Sequence, residues 1–268
     1  MDCAKAINFL LTNGGKMRDY WGYGKAAQPL LPMIAVPTTH GTGSEAQSYA
    51  TITDTETGTR MACGDRKAVF QVAVLDPKLT LSLPASLAAS SAFDALSHAL
   101  ETVVTTRQSA LSDCFSRSAW RLMNAGLEGY IANPQDLEAR GNLLIGAHFG
   151  GLAVENSSLG AAHACAYPLM AAYGLSHGVA VSLMLASVVE WNMEVAASHY
   201  EELYRGDLPT HLRSLAERAG LPATLREAGV PAEALPRMAD EAGKHWTGKF
   251  NPRPFDVAAA LEIYQRAL

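Results

Sequence analysis

Residues 82–98 read Ser82-Leu83-Pro84-Ala85-Ser86-Leu87-Ala88-Ala89-Ser90-Ser91-Ala92-Phe93-Asp94-Ala95-Leu96-Ser97-His98, and the character of the chain changes inside this stretch. Pro84 suits the first turn of a helix, where its missing N–H costs nothing. From there to Leu268 only helical periods follow, broken by Gly and Pro. The spacing predicts helices over 85–104, 108–128, 135–152, 158–170, 178–191, 209–219, 232–243 and 255–267. Asp94 and His98 stand four apart, so a helix places them on one face about one turn from each other. Their neighbours are Ala, Ser and Leu, which marks that face as buried. A buried carboxylate and a buried imidazole need partners.

Before residue 84 the pattern differs. Asp2 to Leu11 has helical spacing and stops at Asn13-Gly14-Gly15. Met33 to Val36 is a short apolar run expected as a buried strand. Gln47 to Thr53 and Arg60 to Cys63 read as a hairpin around Asp54-Thr55-Glu56-Thr57-Gly58. Val72 to Leu75 is one more short strand, stopped by Asp76-Pro77. The chain is therefore expected to divide into a strand-containing part, 1–84, and an all-helical part, 85–268.

Composition narrows the function classes. Charged residues make up 18 %, below the usual figure of about a quarter, while 49 % are hydrophobic, so much of the chain should lie in core or interface. The net charge is −5 with Lys and Arg scattered, which speaks against nucleic-acid binding. No apolar run approaches the ~20 residues of a membrane span. Val179 to Trp191 comes nearest, but it is short and holds Ser182 and Ser187, so it reads as a buried helix. Met1-Asp2-Cys3-Ala4-Lys5 carries no signal-peptide pattern. The widely spaced Cys3, Cys63, Cys114 and Cys165 form no CxxC pair and read as reduced, buried thiols of a cytoplasmic protein.

Two further histidines complete a possible site. His163 lies in Leu159-Gly160-Ala161-Ala162-His163, and His177 in Gly174-Leu175-Ser176-His177-Gly178. With Asp94 and His98 they offer one carboxylate and three imidazoles, a set suited to a divalent transition metal and not to Ca²⁺ or Mg²⁺. Spacing alone leaves two readings open. An Asp-x3-His pair on a helix is more often a hydrogen-bonded pair than a pair of ligands, and a lone His in an apolar segment is usually a core residue.

Longer strings carry a resemblance. Pro37-Thr38-Thr39-His40-Gly41-Thr42-Gly43-Ser44-Glu45, Leu75-Asp76-Pro77-Lys78-Leu79-Thr80, the Asp94 to Glu101 helix, the region of His163 and His177, and Asn251-Pro252-Arg253-Pro254 resemble, in order, motifs of the iron-containing (group III) alcohol dehydrogenases. The resemblance implies a nucleotide-binding α/β domain of the doubly wound kind, present here as an N-terminal remnant, followed by an all-α domain, the dehydroquinate synthase-like superfold. It implies that Asp94, His98, His163 and His177 hold Fe²⁺ or Zn²⁺. It implies that Asp2, Thr38, Thr39, Tyr49, Arg60 and Leu79 serve NAD or NADP, with Arg60 where relatives commonly carry Lys. Such a metal acts as a Lewis acid on an alcohol oxygen while the nicotinamide takes the hydride, and the reverse reduces an aldehyde or ketone. The partners implied are a small alcohol or carbonyl substrate and other copies of the chain in a homo-oligomer, with no nucleic acid or membrane.

Two departures stand out. Tyr167 occupies the place of a histidine that many members use to relay protons, and its unperturbed pKa near 10 makes it a poorer base. In the family a Gly-Gly-Gly-Ser loop that cradles the cofactor pyrophosphate, and about 100 residues of strand–helix alternation, precede a segment like Met1–Ala6. Either Met1 is an internal methionine of a longer protein, or the chain is a shortened, catalytically impaired metal-binding homologue acting as a subunit or interaction module. Other members of the superfold, a maleylacetate reductase or a dehydroquinate-type synthase, are further alternatives, and the ligand set disfavours the synthase. His40 is expected on the surface of its loop. His148, His199, His211 and His245 are expected to be structural or exposed. Lys5 is expected either to serve the cofactor or simply to occupy the first helical turn.

Overall fold

The computed structural model describes residues 1–57 and 59–268. Helix α1 (Asp2–Asn13) ends at Gly14, whose positive φ of 75° suits glycine alone. The strands are short: β1 (Gly22–Tyr23), β2 (Ile34–Ala35), β3 (Tyr49–Thr53), β4 (Arg60–Gly64) and β5 (Val72–Ala73). Strand β4 pairs antiparallel with β3 and parallel with β1, while β2 pairs parallel with β5. The expected hairpin is present, although Gly58 of its turn lies outside the described residues. β1 carries no sequence signal, since two residues are too few for a period to show.

After Pro84 every regular element is helical: α2 (Ala85–Thr102), α3 (Ala110–Ala132), α4 (Leu137–Glu155), α5 (Ala161–Tyr173), α6 (His177–Leu203), α7 (Leu208–Arg218), α8 (Leu235–Gly243) and α9 (Val257–Ala267), with single 3₁₀ turns before and after α8. Helix α6 runs twelve residues beyond the expected end at 191. Glu190, Glu194, Glu201 and Glu202 hide its continuation from an apolar-run reading, yet Ala196 and Tyr200 stay buried on the inner face. It is long and apolar enough to cross a membrane, but most of it is buried inside the protein.

Helix α2 is the hub. It packs against α3, α4 and α6, and from Ala92 to Thr102 it is buried throughout. Its Ala and Ser residues permit this close approach. At one contact the backbones nearly touch: a Cβ on Gly178 would lie 2.1 Å from the Ser90 carbonyl oxygen. Only glycine lets α6 begin there, beside α2.

Specific polar bonds and close contacts hold the strand-containing part together and fasten it to the helices. Lys5 is fully buried, and its Nζ donates to the carbonyls of Ser44, Gln47 and Tyr49 at 2.7, 2.7 and 2.8 Å. Burial pulls its pKa down to about 8 despite the carboxylates of Asp2, Glu155 and Glu45. Glu155 accepts from the Ser48 N–H at 2.9 Å, and Arg140 donates to the Thr80 carbonyl and hydroxyl. Gly43 and Gly151 meet backbone to backbone, where a Cβ on Gly151 would lie 2.4 Å from the Gly43 oxygen.

Two expectations are corrected. His40 is fully buried, edge-on to Tyr130 on α3, with neither ring nitrogen hydrogen-bonded. The loop that carries it is pressed against α3 and α4, so its side chain has nowhere to go but inward. Of the cysteines, Cys63 and Cys165 are buried, but Cys3 and Cys114 are exposed; all four are free thiols.

Candidate metal centre

The four candidate ligands come from three helices, α2 itself and the α5 and α6 that pack against it. Asp94 and His98 share its buried face, as their spacing requires. His163 is the third residue of α5, and His177 the first of α6. The three imidazoles converge on one carboxylate oxygen. Asp94 Oδ1 lies 3.5 Å from His98 Nε2, 3.5 Å from His163 Nε2 and 3.2 Å from His177 Nε2. The His98 and His163 rings are stacked with centroids 5.3 Å apart, and His177 adjoins His163 at the same separation.

This cluster is not a satisfied hydrogen-bond network. Asp94 Oδ1 and His163 Nε2 are buried with no hydrogen-bond partner, and so is His98 Nδ1. Buried polar atoms left unpaired cost about 1–3 kcal/mol each, and two of these, Asp94 Oδ1 and His163 Nε2, face each other at 3.5 Å, where a shared cation would satisfy both. Ligand atoms of Asp94, His98 and His163 all lie within 4.8 Å of one another, as a shared cation requires. His177 is the most open of the four, with 27 % of its side chain exposed toward the cleft.

Glu101, three residues beyond His98, had a place in the sequence motif but no role. It is buried one turn further along α2 and faces the start of α5. Its Oε1 accepts the backbone N–H of Ala162 at 2.7 Å and of His163 at 3.4 Å, capping a helix whose own N-cap residue, Gly160, has no side chain to do so. Its Oε2 sits 2.5 Å from His163 Nδ1. That contact puts the His163 proton on Nδ1 and turns Nε2 toward Asp94. Asn251 assists by accepting from Ala161 N–H at 3.3 Å while pairing with Asn192, which gives the Asn251-Pro252-Arg253-Pro254 string a structural reason. Met170 Sδ similarly faces His177 Nδ1 at 3.2 Å.

The electrostatics divide the imidazoles. Burial depresses His98 to about 4, aided by His163 and His177. Burial also opposes charge on His163, but Glu101 and then Asp94 outweigh it and hold the group near 9. Burial pushes the Asp94 carboxyl up, and the facing histidines overcome it, so Asp94 ionises well below the usual carboxylate range.

The cluster opens into a cleft of about 890 Å³ between the helices and the strand-containing part. Asp2, Thr38, Thr39 and Arg60 line it together with Asp94, His98, His163, Tyr167 and His177. Tyr49 and Leu79 are not among its lining residues; Tyr49 packs on Tyr23 instead. The Asp2 carboxylate bonds the Ser44 hydroxyl at 2.5 Å and the Thr51 N–H at 2.8 Å, tying α1 to both the loop and β3. His245 also lines the cleft, which corrects its expected place as a structural or surface residue. No sequence signal marked it, because its ring reaches the site from a loop after α8, far along the chain. His148 and His211 are half-buried beside Glu45 and Asn124, as structural residues would be.

Comparison with known proteins agrees with this geometry. Residues 88–268 match the family model described as the Fe-containing alcohol dehydrogenase family, C-terminal, and residues 1–77 match that of iron-containing alcohol dehydrogenase. The NAD-dependent methanol dehydrogenase of Bacillus methanolicus is 33 % identical over 282 aligned residues, which cover 100 % of this chain and 74 % of that enzyme. A crystal structure of 1,3-propanediol oxidoreductase superposes with a TM-score of 0.94 at 29 % identity, covering 100 % of this chain and 74 % of the other. That of sulfoacetaldehyde reductase from Bifidobacterium kashiwanohense, in complex with NAD+, gives 0.88 at 26 % identity, covering 99 % and 73 %. The chain thus belongs to the iron-containing alcohol dehydrogenase family, and its chemistry is that of an alcohol–aldehyde oxidoreductase.

Proposed function

We propose that this protein interconverts an alcohol with an aldehyde or ketone, using NAD or NADP as hydride carrier and Fe²⁺ or Zn²⁺ held by Asp94, His98, His163 and His177. The observation that carries the reading is the pair of unpaired, buried ligand atoms, Asp94 Oδ1 and His163 Nε2, in a cleft that Thr38 and Thr39 also line. When bound, the ion supplies Lewis acidity to the substrate oxygen and the nicotinamide accepts or returns the hydride.

The chain's own residues set the conditions for that chemistry. Asp94, held ionised, supplies the one negative charge in the ligand set. His98, neutral above about pH 4, offers a lone pair without losing a proton. Glu101 fixes the tautomer of His163. Tyr167 stays protonated because burial raises its pKa more than nearby Arg60 lowers it, so its hydroxyl is a hydrogen-bond donor at neutral pH and not a base. Residues 1–84 serve as the cofactor-side wall and residues 85–268 as the metal-side domain. The reading extends to a cytoplasmic homo-oligomer acting on a small molecule.

The test is metal content and turnover measured together. The protein loaded with Fe²⁺ or Zn²⁺ is expected to retain about one ion per chain and to oxidise short alcohols with NAD or NADP. Asp94→Asn is expected to bind the ion at least about 100-fold more weakly and to lose turnover in proportion. Full metal retention in Asp94→Asn would sink the assignment.

A further inference from the structure

Three aromatic side chains line the cleft from the helical part: Tyr167, His245 and Trp246. Tyr167 stands one helical turn after His163 on α5, so the row begins beside the metal ligands. The His245 ring lies 4.1 Å from that of Tyr167, and the Trp246 ring 6.0 Å from that of His245, centroid to centroid. The first two rings are engaged: the Arg60 guanidinium lies over Tyr167 at 5.6 Å, and His245 Nδ1 bonds the Thr247 hydroxyl at 2.9 Å. Trp246, the last of the row, is 51 % exposed. Yet the turn that displays it is fixed. The Phe250 ring meets the indole edge-on at 6.1 Å. The Phe250 carbonyl accepts from the Thr106 N–H at 2.9 Å and from the Thr105 hydroxyl at 3.1 Å. Gly248 is pressed on Phe255, where a Cβ would lie 2.3 Å from the ring. A single bare tryptophan on a convex surface means little. An immobilised one, in a cleft wall that starts at the metal ligands, is the kind of apolar contact from which ligand sites are built.

Resting on the dehydrogenase reading above, we propose that Trp246 is a specificity-determining residue of this site, and that the substrates it selects are alcohols and aldehydes that carry an aromatic ring on a short chain. The ring packs on the bare indole face while the oxygen-bearing carbon reaches the Asp94 cluster. The indole stands two ring contacts beyond Tyr167, so the ring is carried a few carbons out and is not bonded to the reacting carbon. Because the turn already holds the indole still, stacking on it costs the protein little further ordering. A short alkyl alcohol reaches the metal centre but leaves the indole in water and gains nothing from it. The reaction is unchanged: the carbinol C–H leaves as hydride to NAD or NADP, the hydroxyl proton passes to solvent, and the aryl-bearing aldehyde results.

The experiment is a calorimetric binding titration that does not depend on turnover. The probes are 3-phenylpropan-1-ol and its saturated counterpart 3-cyclohexylpropan-1-ol, titrated into the full chain with and without bound Zn²⁺, and NADH as a third ligand. The aryl alcohol is expected to bind the native protein about 3- to 10-fold more tightly than the saturated one, the usual return of ring stacking. Trp246→Leu keeps an apolar side chain but no π face, and should bring that ratio to within about twofold of unity. Trp246→Phe should retain most of it. Trp21, the other exposed tryptophan of the cleft, is the control, and Trp21→Leu should keep the full ratio. Removing Zn²⁺ should weaken both alcohols and leave the ratio in place. Equal binding of the two alcohols to the native protein overturns the proposal. So does a ratio that survives Trp246→Leu or that Trp21→Leu abolishes. A loss of NADH affinity in Trp246→Leu with the ratio intact also overturns it and gives the indole to the cofactor. Failure of the dehydrogenase reading looks different: the ratio is present, but neither alcohol reduces NAD or NADP.

Discussion

The two parts of this molecule are built by different means. Residues 85–268 share one continuous apolar core, centred on α2, and every candidate metal ligand hangs from that core. Residues 1–84 have only a small core around Phe9, Tyr20, Met61 and Cys63. Their strands are too short to sandwich anything, and Ile7, Leu11, Leu31, Ile34 and Val72 stand exposed. What fixes the geometry there is polar: Lys5 gathering three carbonyls, and Asp2 tying α1 to the loop and to β3. One wall of the cleft is thus positioned by packing and the other by a few buried hydrogen bonds. Packing loses its grip gradually when one residue changes, whereas a buried charge that loses its role leaves several groups unpaired at once.

The comparison breaks most visibly at Lys5. Lys5→Met is expected to leave one buried and two part-buried carbonyls without their donor and to destabilise residues 1–84 by about 3 kcal/mol. Hydrogen exchange should show α1 and β3 opening first, while metal content stays within error of the native protein. Equal opening in α2 and α5 would mean that the two parts are not separable in this sense.

His40 tests the seam between the parts. Its folded-state pKa of about 4 lies below the ordinary 6.5, chiefly because of burial. Above pH 6.5 it is neutral in both states and has no effect. Below that, the unfolded chain takes up the proton first, so stability falls as pH drops from about 6.5 to about 4, by up to about 3 kcal/mol for this group. Denaturant titrations of the native protein and His40→Ala across that window should show a shallower acid slope in the variant, whatever its absolute stability. Parallel slopes would remove His40 from the seam.

The smallest expected effect sharpens the helical side. Glu101→Gln keeps the shape and can still accept from Ala162, but it loses the charge opposite His163. Metal affinity should fall about 10- to 100-fold, the usual cost of losing an oriented outer partner. Global stability should change far less than for Lys5→Met. If affinity is unchanged in a competition with a chelator, His163 does not need Glu101 to orient it.

Much of this was legible from the sequence, and the reason is local geometry. The change at Pro84 and the Asp94-x3-His98 pair are statements about helical period, which a sequence records directly. His163 and His177 could be singled out as candidates from the sequence, but only the resemblance chose ligands over core histidines, since their convergence on Asp94 depends on how α5 and α6 are placed against α2. The inward turn of His40 and the arrival of His245 were not legible at all. Each depends on what lies opposite: Tyr130 for His40, and Tyr167, seventy-eight positions earlier, for His245. The far half of α6 was missed because its outer face is acidic, which masks an inner face spaced too widely to form a run.

The contact of Gly43 with Gly151 has a mechanical meaning. It is a bearing with no clearance, and it sits between the loop that carries Thr38 and Thr39 and the helix behind His98. A single added carbon on either glycine must push the walls apart by an ångström or so, because neither backbone can yield into its neighbour. Transfer between two groups held on opposite walls falls steeply with such a gap, about 100-fold for 1 Å. The two positions therefore set the working distance of the cleft without touching anything that reacts.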